Sequence, residues 1–205
     1  MRVSLLTGLL VAASATGLAT VTGTVAGYFG GWADRGLTSV IDLMLVLPPL
    51  LAVATVSPAL RGSELPVLAP LLAAFMWMVT ARVVRGMTIS LRDRDYVLAA
   101  RYLGVRPMTI IRRHIIPNLA SLLIVDATLN VSTAVIGETS LSYLGLGVRP
   151  PDVSLGTIIA DGASAATVFP WLFLPPVFLL ILILLGVNLV GDGLRDAIDK
   201  EGRLR

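Results

Sequence analysis

Residues 170–191 read Pro-Trp-Leu-Phe-Leu-Pro-Pro-Val-Phe-Leu-Leu-Ile-Leu-Ile-Leu-Leu-Gly-Val-Asn-Leu-Val-Gly, 22 positions without a charged side chain. A helix needs about 20 mostly apolar residues to cross the hydrocarbon core of a bilayer, so this segment by itself points to a membrane span. Four more stretches, 4–27, 37–60, 66–86 and 115–137, qualify or nearly qualify in the same way. Composition agrees: of 205 residues 56% are hydrophobic and 14% charged, with a mean hydropathy of +0.86. A soluble domain would show polar faces at helical or strand spacing, and long stretches here have none. The expected fold is an all-α membrane protein, a polytopic helical bundle of about five spans forming a single transmembrane domain over 1–205.

The first stretch, Ser4 to Gly27, follows Arg2 and contains small residues, as a secretory signal does. Its length exceeds the usual signal core of about 7–15 residues and further spans follow, so it reads as a retained helix. Orientation comes from the basic residues, which concentrate in short cytoplasmic loops. Arg82, Arg85, Arg92, Arg94, Arg101, Arg106, Arg112 and Arg113 are eight of the 16, and they place this region inside. Alternation puts Arg35 and the tail (Arg195, Lys200, Arg203, Arg205) inside too, leaving Arg2, Arg61 and Arg149 outside. Five spans with a cytoplasmic C-terminus would leave Met1 outside, which suggests a missing N-terminal span.

The expected cytoplasmic loop, 87–114, contains Ser90-Leu-Arg-Asp-Arg-Asp-Tyr-Val-Leu-Ala-Ala-Arg-Tyr-Leu-Gly104-Val-Arg-Pro107. Ser90 with Asp93 looks like a capping box, Gly104 suits a helix C-terminal cap, and Pro107 can open the next helix. A short helix follows, with Tyr96, Ala99, Ala100 and Leu103 on one apolar face. Spacing alone leaves two readings equally open, a helix resting on the bilayer surface or a helix that docks on a partner.

Ala99-Ala100-Arg-Tyr-Leu-Gly104, followed by Ile111-Arg-Arg-His114-Ile-Ile-Pro117-Asn118, resembles the EAA motif of binding-protein-dependent ABC permeases, in particular the branch importing oligopeptides, dipeptides and nickel. Gly137-Glu138-Thr-Ser-Leu-Ser-Tyr-Leu-Gly145-Leu-Gly147-Val-Arg-Pro150-Pro151 and Asn188-Leu-Val-Gly191-Asp192-Gly193-Leu-Arg195-Asp196-Ala are similar to the same branch. So are Arg2-Val-Ser-Leu-Leu and Tyr28-Phe-Gly-Gly-Trp-Ala-Asp34, and the likeness runs over nearly the whole chain. It implies a type I-like ABC importer permease, the transmembrane subunit that turns partner ATPase motion into alternating access for peptides or similar small solutes. The loop helix is then the coupling helix, meeting the ATPase through Asp95, Tyr96, Leu98, Ala99, Ala100, Arg101, Leu103 and Gly104. Leu98 stands where the family usually has the motif's glutamate, so a polar contact there is lost or replaced by Asp95 or Arg101. The family usually has six spans, which implies a span ahead of Met1 and hence a truncated chain or a late start.

The implied partners are ATP-binding subunits, a second homologous permease subunit, an extracytoplasmic solute-binding protein and the lipid of the plasma or inner membrane. ATP and magnesium would be bound by the partner ATPase, with no cofactor in this chain. The chain has no G-x-x-x-x-G-K-[ST] loop, no G-x-S-x-G elbow and no H-E-x-x-H pair, which argues against an enzyme. It lacks cysteine and has one histidine, His114, so a multi-histidine or thiolate metal site within it is excluded. The basic residues lack the interleaved aromatics of a nucleic-acid surface. Competing readings are an ion-coupled secondary transporter, with Asp126 carrying the ion, and an inactive truncated scaffold.

Ionisable groups at membrane depth cost about 2.5–3.5 kcal/mol for Asp at a helix centre, so each asks for a reason. Asp126 and Asn130, one turn apart, make a polar stripe that either faces a translocation path or sits hydrogen-bonded in a helix interface. Asp42 reads as a cap or ion-pair partner. Glu138, near the outer end of the fourth span, reads either as a gating or packing group or as a solvated helix end. Pro48-Pro49 and Pro175-Pro176 predict kinks or unwound turns. Segment 138–169 reads as a partly structured external loop with a short helix over Leu155–Gly162.

Overall fold

The computed structural model describes residues 2–56, 65–148 and 152–203. Their order is α1 (Arg2–Phe29), α2 (Gly31–Val46), α3 (Pro49–Val56), α4 (Leu65–Arg92), α5 (Asp95–Tyr102), α6 (Pro107–Ile110), a π-helical turn (Ile111–Ile115), a 3-10 turn (Ile116–Leu119), α7 (Ala120–Tyr143), α8 (Leu155–Ala163) and α9 (Pro170–Arg203). Among the described residues, four helical stretches are long and apolar enough to cross a bilayer: Arg2–Phe29, Leu68–Arg92, Pro107–Tyr143 and Pro170–Ile198.

Packing begins with α1. Ala15, Ala19, Gly23 and Gly27 recur every four residues and lay a smooth stripe against α4. A Cβ on Gly23 would lie 2.7 Å from the Ala81 carbonyl oxygen, and one on Gly27 2.7 Å from that of Arg85. Lipid tails are as apolar as leucine, so close backbone approach through small residues, rather than expulsion from water, holds two membrane helices together. The pairings Gly23 with Ala81 and Gly27 with Arg85 show that α1 and α4 run parallel. On its other side, α1 meets α7 antiparallel, Gly8 against Val131 and Val135, and Thr16 against Asp126. Gly191 against Thr128 and Asn188 against Ser132 set α9 antiparallel to α7 in turn.

Because α1 and α4 are parallel, the chain between them has to return from one end of the bundle to the other. The sequence predicts a span over 37–60 interrupted at Pro48-Pro49, and the helix is indeed broken at Leu47-Pro48, the described part consisting of α2 and α3. Pro48 and Pro49 lack the N–H that would continue the ladder, and Leu47, preceding proline, is extended at φ −81°, ψ 123°. The crossing is therefore a broken one, and Ile41 and Val53 still reach the core formed with Val11, Trp77 and Met78. Residues 57–60 of the predicted span lie outside the described residues.

The third helix is longer than expected. α4 runs to Arg92, so Arg82 and Arg85 stand on its surface and not in a loop, and Ser90 lies within it and caps nothing. Each arginine finds a carboxylate on α2: Arg82 pairs with Asp42, and Arg85 holds Asp34 through two nitrogens, one bond being 2.6 Å. The expectation that Asp42 forms an ion pair is met. Arg92 reaches back to donate to the Gly27 carbonyl at 3.0 Å, satisfying a C-terminal carbonyl of α1 that has no partner within its own helix.

Of the kink or unwound turn expected at Pro175-Pro176, the unwound turn is absent, since α9 stays helical through both. They fall in its first two turns, where the lost bonds concern the carbonyls of Trp171 and Leu172 near the helix start. Most of the apolar surface of α9, including Phe178, Ile181, Leu182, Leu185 and Leu189, stays exposed, as suits a helix facing lipid or a partner.

Candidate functional site

At the end of the bundle where α1, α4 and α9 terminate, the chain turns through Asp93-Arg94 into α5. Arg94 occupies the N-cap position with no side-chain bond, so the Ser90/Asp93 capping box is absent; Asp95 in the first turn and Arg101 in the last suit the helix dipole. Gly104, at φ +76°, closes the helix as expected. Its N–H bonds to the Arg101 carbonyl (3.0 Å) and that of Val105 to Ala100 (3.1 Å), a Schellman motif. Pro107 opens α6, also as expected.

Of the apolar face expected to meet a partner or the bilayer, Tyr96, Ala99 and Leu103 stay outward and Ala100 alone turns inward. Val97 and Ala100 are buried, packed with Val84, Ile110, Ile111 and Ile115. Ala100 thus anchors the helix to its own chain. Tyr96 and Ala99 remain exposed, Leu98 is half-buried, and Tyr102 and Leu103 project with 89% and 83% of their surface accessible. Tyr96 leans toward His114, ring centroids 6.4 Å apart. Tyr102 was missed from sequence, and nothing but its place in the last turn beside Leu103 could have signalled it.

The route from α5 into the membrane passes through irregular helix. Pro117 has no N–H to give the Arg113 carbonyl, and around it the ladder shifts to a π turn and then a 3-10 turn before α7. The result keeps Ile111, Ile115 and Leu119 buried while Arg112 and Arg113 stay at the surface. Segments α6 to α7 form one helical column that leads from the end of α5 into the bundle.

Midway along the bundle, Asp126 is engaged by three helices. Thr80 of α4 donates to both of its carboxylate oxygens (2.9 and 2.8 Å), Asn130 Nδ2 donates at 2.8 Å, and Thr16 of α1 at 3.4 Å. Asn130 also reaches Thr16 Oγ1 at 3.2 Å and is buried. These contacts supply the hydrogen bonds of the interface reading, while Asp126 itself is only half-buried. Thr16 and Thr80 were not picked out, since threonines occur in four of the five expected spans. We expect Asp126→Asn, which keeps an acceptor oxygen, to hold transport within about twofold, and Asp126→Ala to cost about 1–3 kcal/mol by orphaning buried donors. Thermal unfolding in detergent beside uptake assays checks this; an Asn variant that is abundant but inert would point to a pathway role.

At the opposite end, the segment 138–143 belongs to α7 and not to a loop, and Glu138 is fully buried, so it is not a solvated helix end. Ser142 Oγ donates to its Oε1 at 2.7 Å. Beyond Gly145 (φ +74°) the chain doubles back, and α8 begins at a capping box in which Ser154 Oγ accepts from Thr157 N and Thr157 Oγ1 from Ser154 N. The short helix expected over Leu155–Gly162 is α8; the cap pair Ser154-x-x-Thr157 was the signal that could have placed its start.

The model of binding-protein-dependent transport system inner membrane components matches residues 19–203. The chain belongs to that family. Similar permeases include the oligopeptide transport system permease protein OppC of Mycobacterium tuberculosis (strain ATCC 25618 / H37Rv), 53% identical over 99% of this chain and 70% of the relative. OppC of Bacillus subtilis (strain 168) is 37% identical over 98% of the chain and 66% of its own length. The dipeptide transport system permease protein DppC of Alkalihalophilus pseudofirmus has the same identity and coverage. Among solved structures, a chain of the inward-facing MetNI methionine ABC transporter superposes with a TM-score of 0.65 at 19% identity, covering 95% of this chain and 96% of that one, which establishes a shared fold. As a permease of this family, the chain is a multi-pass inner-membrane protein, and the motif-bearing residues Ala99 to Gly104 form the last turn of α5 and its C-terminal cap.

Proposed function

We propose that this chain is the permease subunit of an ATP-driven importer of oligopeptides or dipeptides, in which α5 is the coupling helix seated on a partner ATPase. The observation that carries the reading is the pair of nearly bare side chains, Tyr102 and Leu103, on a helix fastened from behind by Val97 and Ala100. Exposed aromatic and aliphatic anchors flanked by Asp95, Arg101 and the exposed Ala99 are what a cleft on another protein recognises. ATP and magnesium belong to the partner, and this chain performs no hydrolysis. A second related permease and an external solute-binding protein complete the assembly, with the α5 end and the C-terminus of α9 in the cytoplasm. The arginines around α5 support that orientation.

The rival reading is an ion-coupled carrier in which Asp126, held by Thr80, Thr16 and Asn130, would carry the ion. The decisive experiment is uptake of labelled di- to pentapeptides by proteoliposomes holding this chain with its second permease, ATPases and binding protein. Accumulation that requires ATP and persists when ion gradients are collapsed is the expected result. Uptake that follows the gradient and ignores ATP would overturn the proposal.

A further inference from the structure

At the end of the bundle away from α5, three polar side chains form a directional hydrogen-bond relay. Ser142 Oγ donates to Glu138 Oε1 (2.7 Å) and accepts from the Val148 N–H (3.1 Å) and from Ser154 Oγ (3.4 Å). Ser154 in turn caps α8, accepting from Thr157 N at 3.2 Å. Glu138 is the terminal acceptor of this chain of donors. It is 0% exposed, as is Ser154, and Ser142 is 4% exposed. Leu155 N–H adds a tie to Ser4 Oγ of α1 at 3.2 Å.

Packing around the relay is equally restrictive. A Cβ on Gly147 would lie 2.3 Å from Ser142 Oγ, and one on Gly156 2.7 Å from the Thr139 carbonyl oxygen and from Ser142 Cβ. Two glycines from different segments therefore let the backbone close over Ser142, so the loop after α7 and the start of α8 touch α7 at the serine that the carboxyl orients. A carboxyl kept out of solvent is costly where it lacks partners, and Glu138 Oε2 has none among the described residues.

We propose that Glu138 is a positioning residue that latches α8 onto α7, so that the far cap of the bundle travels with the helix that the coupling segment drives. The column from α6 through α7 ends at this latch, and the movement of α5 leaves the column through Ser142 and Ser154. The inference rests on the reading of α5 as the coupling helix. It differs from a purely structural role in what it demands: the cap must respond to the ATPase only while the carboxyl, or an equivalent acceptor oxygen, orients Ser142.

The absence of cysteine allows a direct test in the assembled complex in proteoliposomes. A single cysteine at Val153, 57% exposed beside the cap, reports the far end, and one at Met108, 61% exposed, reports the coupling end. With native Glu138, the rate of thiol labelling at both positions should change about fivefold or more when ATP is supplied. In Glu138→Ala the response at Met108 should persist while that at Val153 falls to less than about twofold, and Glu138→Gln, which retains an acceptor oxygen, should restore it. If Glu138→Ala does not assemble, Ser142→Ala breaks the relay from the donor side and should give the same split. A Val153 response that survives both Ala variants, or that is lost equally in Glu138→Ala and Glu138→Gln, overturns the latch. Failure of the Met108 response in the native complex would instead count against the coupling reading itself.

Discussion

Valine at Gly23 or Gly27 leaves little assembled permease in the membrane. An added Cβ at either position falls 2.7 Å from a backbone carbonyl oxygen of α4, that of Ala81 or of Arg85. A backbone atom cannot step aside as a side-chain tip can, so α1 and α4 must separate along the stripe that also contains Ala15 and Ala19. Overpacking of this kind costs about 3 kcal/mol, and the branched side chain adds its own bulk. Separation would also part Arg92 from the Gly27 carbonyl and spread Thr16 and Thr80, which share Asp126. Valine at Gly17 supplies the control, because nothing lies within 4 Å of a Cβ there. The measurement is the amount of monodisperse protein recovered in mild detergent, with its thermal midpoint; equal recovery of the Gly17 and Gly23 variants would show that the stripe does not set the spacing.

The double substitution Tyr102→Asp, Leu103→Asp abolishes ATP-driven uptake while leaving the chain itself folded. Both side chains are more than four-fifths exposed, so the bundle loses almost no packing when they change. Buried against a partner, anchors of this type carry about 2 kcal/mol or more each, and two introduced carboxylates leave charges with no water in the cleft. We expect the ATPase to dissociate on purification and uptake to fall by about 100-fold or more. Val97→Asp is the informative contrast. Val97 is 1% exposed and packs with Ile110 and Ile115, so that variant should unfold the α5 region and lower recovery of the chain. Retained ATPase binding in the double variant would remove the assignment of α5.

Much of the architecture could be read before any packing was known. The charge-free run at 170–191 required a span, Gly104 and Pro107 bracketed the turn after α5, and the prolines at 48 and 49 warned of a break in the second crossing. The polar residues of the spans were visible, but their partners were not: Asp126 and Thr16 are 110 positions apart, and only the antiparallel fit of α1 on α7 brings them together. Glu138 could not be told from a solvated helix end, because its burial is produced by a loop and a helix that follow it in the chain and fold back over it. The inward face of α5 was equally out of reach. On a helix of 8 residues Val97 and Ala100 make as good an apolar pair as Tyr96 and Ala99, and the choice falls to whichever pair fits the patch of Ile110, Ile111 and Ile115.

The chain by itself determined where lipid replaces water and where the backbone can turn, because transfer into the bilayer and the conformational limits of proline and glycine act residue by residue. The tertiary structure alone decided which small residues touch, which hydroxyls answer each buried carboxyl and which side chains remain bare for a partner. Those outcomes depend on the register between helices distant in sequence, and a periodic apolar pattern is compatible with several registers until backbone contact, at glycines such as Gly23 and Gly156, selects one.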